Sequence, residues 1–239
     1  MFVKSLVRSF ARYLGYDIVR FHHAYHAQAR RNRLLDLYGV DLILDIGANI
    51  GQYGAQLRKE GYKGNIISFE PLADAYSELL MKVELDAEWS ALNCALGSID
   101  GTAEINVSKN SCSSSLLGML PEHQTSAPDS VYVRKENIRI KMLDTVFDQY
   151  CSSFKKIFMK VDTQGYGMDV LKGSGNSLEK ICGIQIEVSL VNLYANEALI
   201  EDFIVFLRNL GFVPMSIEPG FADFETGKLL QADLIFFRQ

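Results

Sequence analysis

No apolar run in this 239-residue chain reaches the ~18 residues that a bilayer-spanning helix needs. The N-terminus has no small-residue cleavage site behind an apolar core, so it does not read as a secretory signal. Cysteine is scarce. Cys94, Cys112, Cys151 and Cys182 form no C-x-x-C pair, and His22, His23, His26 and His123 do not interleave with them at zinc-ligand spacing. Four reduced thiols are expected, which goes with a cytoplasmic setting. Positive charge is also short. Lys and Arg number 24 against 29 acids, a net charge of −5, which argues against a general grip on nucleic acid. There is no internal repeat and no G-x-G-x-x-G.

The length suits one domain, or one domain with a short extension. Residues 1–33 stand apart from the rest. They carry Lys4, Arg8, Arg12, Arg20, Arg30, Arg31 and Arg33 against the single acid Asp17. Val3, Leu6, Val7, Phe10, Leu14, Ile18 and Phe21 recur at helical spacing, with Gly15 and Tyr16 as a break between two helices. Two readings stand. The helix packs its apolar stripe on the main domain, residues 34–239, or it lies on an anionic membrane surface as a peripheral contact.

From Asp41 onward short apolar runs alternate with helical stretches. Strands are expected at 41–46, 65–69, 89–96, 104–107, 138–142, 156–161, 184–188, 212–217 and 233–237. Helices are expected at 52–60, 72–85, from about 168, and at 197–210. Strands separated by helices imply βαβ units, and hence an α/β, doubly wound, mainly parallel sheet. The last two strands have no helix between them and predict an antiparallel hairpin at the sheet edge. Residues 108–130, rich in turn formers, read as a long surface loop, either a lid or disordered.

The strongest local signal is Leu44-Asp45-Ile46-Gly47-Ala48-Asn49-Ile50-Gly51-Gln52, which joins a buried strand to a helix. Gly47 and Gly51 allow a tight turn and close approach of a ligand. The following helix offers free N–H groups to an anion such as an amino-acid carboxylate, and Asp45 is placed to meet a positive amino group. Asn49 and Gln52 stand where a dinucleotide fingerprint has glycine, which weighs against a nicotinamide cofactor. Glu70 of Phe69-Glu70-Pro71 ends the next strand, where an acid can accept hydrogen bonds from both ribose hydroxyls.

These residues resemble motifs I and II of the FkbM-type methyltransferases. The likeness continues through Asn93-Cys94-Ala95-Leu96-Gly97, Ser113-Ser114-Ser115-Leu116, Leu143-Asp144 and Lys160-Val161-Asp162-Thr163-Gln164-Gly165-Tyr166. It ends with Leu193-Tyr194, Gly211-Phe212 and Asp233-Leu234-Ile235-Phe236. Many members carry Glu where this chain has Gln164, and an acid where it has Gly167. The resemblance implies a Rossmann-like class I methyltransferase sheet, S-adenosylmethionine as cofactor, and oxygen methylation of a sugar, glycan or natural-product hydroxyl. A methyltransferase-like binding or partner protein without turnover is the alternative.

The cofactor set implied is Asp45, Gly47, Asn49, Gly51, Gln52, Glu70, Pro71, Asn93, Ala95, Ser114 and Asp162, with Asn93 near the adenine. In this fold Asp162 ends the strand beside Asp45, and Glu187 ends the next. A hydroxyl acceptor gains from a base within hydrogen-bond reach, with Asp162 or Glu187 the candidates and Lys160 and Gln164 orienting the substrate. A carboxylate pair could instead hold Mg²⁺, which the sequence does not itself indicate. Tyr194 is either an acceptor-pocket or a core aromatic, and the His22–His26 histidines read as helix-surface residues.

Overall fold

The computed structural model describes residues 2–239, with side chains from residue 6 onward. Val3 and Lys4 of the N-terminal pattern therefore lie outside the described side chains. The first half runs α1 (Phe2–Tyr13), α2 (Ala27–Tyr38), β1 (Leu42–Ile46), α3 (Gln52–Lys59), β2 (Asn65–Phe69), α4 (Ala73–Val83), β3 (Trp89–Leu92), β4 (Ala95–Leu96) and β5 (Gly101–Ser108). The second half runs α5 (Pro121–Ser126), β6 (Tyr132–Lys141), α6 (Leu143–Cys151), β7 (Ile157–Val161), α7 (Gly167–Lys172), β8 (Ile181–Ser189), α8 (Ile200–Asn209), β9 (Phe212–Pro219) and β10 (Gln231–Arg238). No helix among the described residues is long and apolar enough to cross a membrane.

Seven strands form one sheet in the order β3-β2-β1-β7-β8-β10-β9. The first five are parallel, as helical crossovers require, and β10 runs antiparallel to both β8 and β9. The expected α/β doubly wound sheet and its terminal hairpin are both present. The later strand of the hairpin lies inside, and β9 is outermost.

Parallel strands buried on both faces read as unbroken apolar runs, as β1 and β7 do. Leu42, Leu44 and Ile46 pack in one layer with Phe147 of α6, Val170 of α7 and Phe203 of α8. Ile43 and Phe158 face the other way, toward Leu35 of α2, Leu57 of α3 and Leu79 of α4. Asp45 shares the parity of Ile43, so it too points to the α2–α3 side.

The expected single strand 89–96 is two strands. β3 belongs to the main sheet, and β4 pairs with β6 in a separate β4-β6-β5 sheet. Between them the Asn93 amide donates to the Glu70 and Pro71 carbonyls, each at 3.0 Å, and the chain turns away there. The 108–130 segment is not a structureless loop. It holds α5 and a 3₁₀ turn at Pro128–Ser130, and it is pinned by buried His123, which packs edge-on against Tyr194. Helix α6, for which no expectation was formed, follows β6.

The chain does leave its first helix before Gly15, but no second helix follows directly: residues 14–26 are turns and extended chain, so Ile18, Phe21, His22, His23 and His26 are not on a helix, and α2 starts only at Ala27. The apolar stripe of α1 does not pack on the domain: Leu6, Val7, Phe10 and Leu14 are all exposed.

Candidate active site

Strand order reverses between β1 and β7, and a crevice opens at the carboxyl ends of those strands. There the structure has a cavity of about 500 Å³. Gly47 turns the chain out of β1 at φ 77°, and a Cβ on it would stand 1.9 Å from the Asp162 carbonyl oxygen. Asn49 holds a left-handed conformation (φ 47°) that its short side chain supports, its Oδ1 accepting the Ile50 N–H at 2.8 Å. The Asn49 N–H donates to Glu70 Oε2 at 2.7 Å, and the Leu72 N–H donates to Oε1 at 2.8 Å. Glu70 is thereby locked at the end of β2. Burial pushes its pKa up to about 7, against the pull of those two backbone donors.

A polar row crosses the sheet beside this loop. Asp45 and Lys160 are register partners on β1 and β7. Lys160 Nζ lies 3.5 Å from Asp45 Oδ1 and 3.2 Å from Asp162 Oδ2. Burial works against the lysine charge, but Asp162 and Asp45 outweigh it and hold its pKa above the usual value. Burial also raises Asp45, whose Oδ2 accepts from Ser68 Oγ at 3.4 Å.

Next to it, the Gln164 amide joins two carboxylates. Its Nε2 donates to Asp162 Oδ1 and to Glu187 Oε2, both at 2.8 Å, while its Oε1 accepts from the Tyr194 hydroxyl at 2.7 Å. A Glu at this position would set a third anion against the two. Glu187 Oε2 also accepts from Gln231 Nε2 at 2.9 Å. Burial first, then the Asp162 and Asp233 carboxylates, hold Glu187 well above the ordinary carboxylate range.

Of the residues the sequence singled out, Gly47, Asn49, Gln52, Glu70, Pro71, Ala95, Ser114, Lys160, Asp162, Gln164 and Glu187 line this one cavity. Asp45, Gly51 and Asn93 stand behind its wall. The amino group that Asp45 meets is that of Lys160. Gly51 fits against Leu79 and Trp89. The Asn93 amide is engaged by the two carbonyls named above. Tyr194 is fully buried and holds Gln164. The Ser113–Ser115 stretch is docked, with Ser115 Oγ donating to the Gln164 carbonyl at 2.6 Å. Among the described residues no group of three or more His, Cys, Asp or Glu is arranged to hold a metal ion.

Among the lining residues that had not been picked out as site residues, Asp233, Gln185, Tyr53 and Arg31 carry polar contacts. Asp233 of β10 is the register partner of Glu187, so both carboxylates share one sheet face. Gln185 donates to Asp233 Oδ1 at 3.2 Å and accepts from the Tyr53 hydroxyl at 3.0 Å. Arg31 of α2 is buried, pairs with Glu60 at 2.5 Å and lies over the Tyr53 ring. The available signal for Asp233 was an acid inside the apolar run of Ala232–Phe237, the same signature as Asp45 in β1.

The profile of the methyltransferase FkbM domain matches residues 45–214, from the acid in β1 to the start of β9. The chain belongs to the FkbM methyltransferase family. Methyltransferase sdnD of Sordaria araneosa is 28% identical over 156 residues, 55% of this chain, and the match spans 59% of that protein's length. The solved methyltransferase FkbM from Methylobacillus flagellatus KT superposes with a TM-score of 0.50 at 14% identity, over 82% of this chain and 43% of that one. TrmK of M. capricolum, solved with S-adenosyl-homocysteine, has a TM-score of 0.46 at 9% identity, over 88% of this chain and 68% of that one.

Proposed function

We propose that this FkbM-family chain is an S-adenosylmethionine-dependent methyltransferase that methylates a hydroxyl of a sugar, glycan or natural product. The observation that carries the reading is one cavity lined by two unlike sets of groups. One set is the glycine turn, Asn49 and the locked Glu70. The other is Asp162 and Glu187 tied together by Gln164.

The first set fits an adenosyl amino acid. Glu70 presents a buried carboxylate whose Oε2 accepts the Asn49 N–H and whose Oε1 accepts the Leu72 N–H, and each oxygen keeps a second lone pair for a ribose hydroxyl. Gly47 lets the loop lie directly against the Asp162 carbonyl, where any Cβ would collide. Arg31 and Lys160 supply positive charge along the same wall. When bound, S-adenosylmethionine supplies an electrophilic sulfonium methyl.

The second set fits a neutral hydroxyl acceptor. A hydroxyl is a poor nucleophile at neutral pH, so a carboxylate that removes its proton raises the rate. Asp162 is engaged by the Lys160 ammonium at 3.2 Å. Glu187 is held by neutral amides and raised in pKa, which makes it the stronger base once ionised. We therefore assign proton removal to Glu187, and orientation of the acceptor to Asp162, Gln164 and Lys160.

The test is calorimetric titration of S-adenosylmethionine into the wild-type protein and Glu70→Ala, followed by transfer of labelled methyl into a cell extract. Micromolar binding, lost about tenfold or more in the variant, is the expected result for two charged hydrogen bonds. No binding to wild type would overturn the cofactor. Binding without transfer to any extract component would favour a partner protein lacking turnover.

A further inference from the structure

Helix α1 and the chain leading to α2 expose an unusual amount of apolar surface. Leu6 is 59% exposed, Phe10 65% and Tyr13 87%, and Val7, Leu14, Tyr16, Ile18, Val19, Phe21 and Tyr25 are exposed as well. Scattered exposed apolar residues are ordinary, but a contiguous series of this kind marks an interaction surface. In α1 the arginines fall together on the opposite side: Arg8 and Arg12 are one turn apart, and Leu6, Phe10 and Tyr13 form the other stripe. Both arginines reach Asp17, which fixes the turn after Gly15.

Charge separates this segment from the body. Residues 6–25 carry Arg8, Arg12 and Arg20 against Asp17, a net +2, while residues 34–239 carry −11. Arg30 and Arg31, farther along, turn to the body and pair with Glu218 and Glu60. A two-fold contact between copies through this face would set like charges together, which disfavours self-association. An anionic surface complements the segment and repels the body, which fixes the orientation.

We infer that residues 6–25 dock the protein on an anionic lipid surface, with the apolar stripe at the acyl boundary and the arginines among the headgroups. Helix α2 begins at Ala27, directly after this segment, and its Arg31 lines the cavity. Docking thus holds the cavity beside the membrane. Only the corollary that the acceptor is carried on a lipid rests on the methyl-transfer reading. The docking itself does not, and a failure of cofactor binding leaves it standing.

The experiment is co-sedimentation of the full chain with vesicles of phosphatidylcholine and phosphatidylglycerol, and with vesicles of phosphatidylcholine alone. Binding to the anionic vesicles, weaker binding to the neutral ones and loss with added salt are expected. The Leu6→Asp/Phe10→Asp variant should partition about tenfold less or weaker still, with an unchanged thermal melt because both side chains are exposed. Arg8→Ala/Arg12→Ala should keep the apolar stripe and lose the preference for anionic lipid. Absence of wild-type binding to anionic vesicles overturns the inference, as does equal binding by the aspartate variant. A dimer in light scattering that the aspartate variant converts to monomer, without vesicle binding, assigns the face to a second copy and overturns it too.

Discussion

Gly47 has room for a hydrogen and nothing larger. Its φ of 77° and the Asp162 carbonyl 1.9 Å from a would-be Cβ act together, so Gly47→Ala must move β7 or the loop. We expect a loss of about 2 kcal/mol or more in urea unfolding, together with loss of cofactor binding. Glu187 gives a second prediction, with a defined sign. Its raised pKa keeps it protonated where an ordinary carboxylate is ionised, and only the ionised form can take a proton. The kcat/KM of methyl transfer should therefore rise with pH through a limb above the usual carboxylate range. Glu187→Gln should flatten that limb and lower the rate by about 10² or more. A limb unchanged in the variant would assign the proton transfer elsewhere. At this scale the sequence was legible where chemistry is local. Gly47, Asn49 and Glu70 sit in short motifs whose backbone needs are visible in the residues themselves. The Gln164 bridge was not legible, because its partners Glu187 and Tyr194 lie 23 and 30 positions away. Nor was Arg31, whose role depends on how α2 packs beside Tyr53.

The buried strands and amphipathic helices that build the crevice were readable from periodicity alone, since β1 and β7 are apolar throughout apart from one charge each. Helix α6 escaped because it begins directly after β6, with no glycine or capping side chain to mark the change. It matters nonetheless. Leu143, Phe147 and Cys151 project at helical spacing into the layer beneath β1 and β7. Phe147→Ala should cost about 3–5 kcal/mol in chemical denaturation, with the denaturant dependence unchanged. The split between β3 and β4 was hidden for a different reason. The break falls at Asn93, whose amide grips the Glu70 and Pro71 carbonyls 23 and 22 positions away, partners that the run 89–96 does not itself display. The α1 stripe was visible as a pattern, but its exposure depends on the rest of the fold offering it no groove.

For the whole molecule, alternation of strands and helices was enough to indicate a doubly wound sheet, and the missing last crossover indicated the antiparallel pair. The position of β10 inside β9 is a global outcome, because β10 satisfies β8 on one side and β9 on the other. That placement makes the sheet finish by insertion, not by addition. Until residues 231–238 have been synthesised, β8 and β9 each show a bare edge, and the polar row lacks Asp233 and Gln231. Asp45 and Lys160, neighbours in space, are likewise made 115 positions apart. The pocket therefore cannot close before β10 is made. A growing polypeptide has its glycine turn well before these carboxylates, and during that interval the open strand edges are free to pair with another strand.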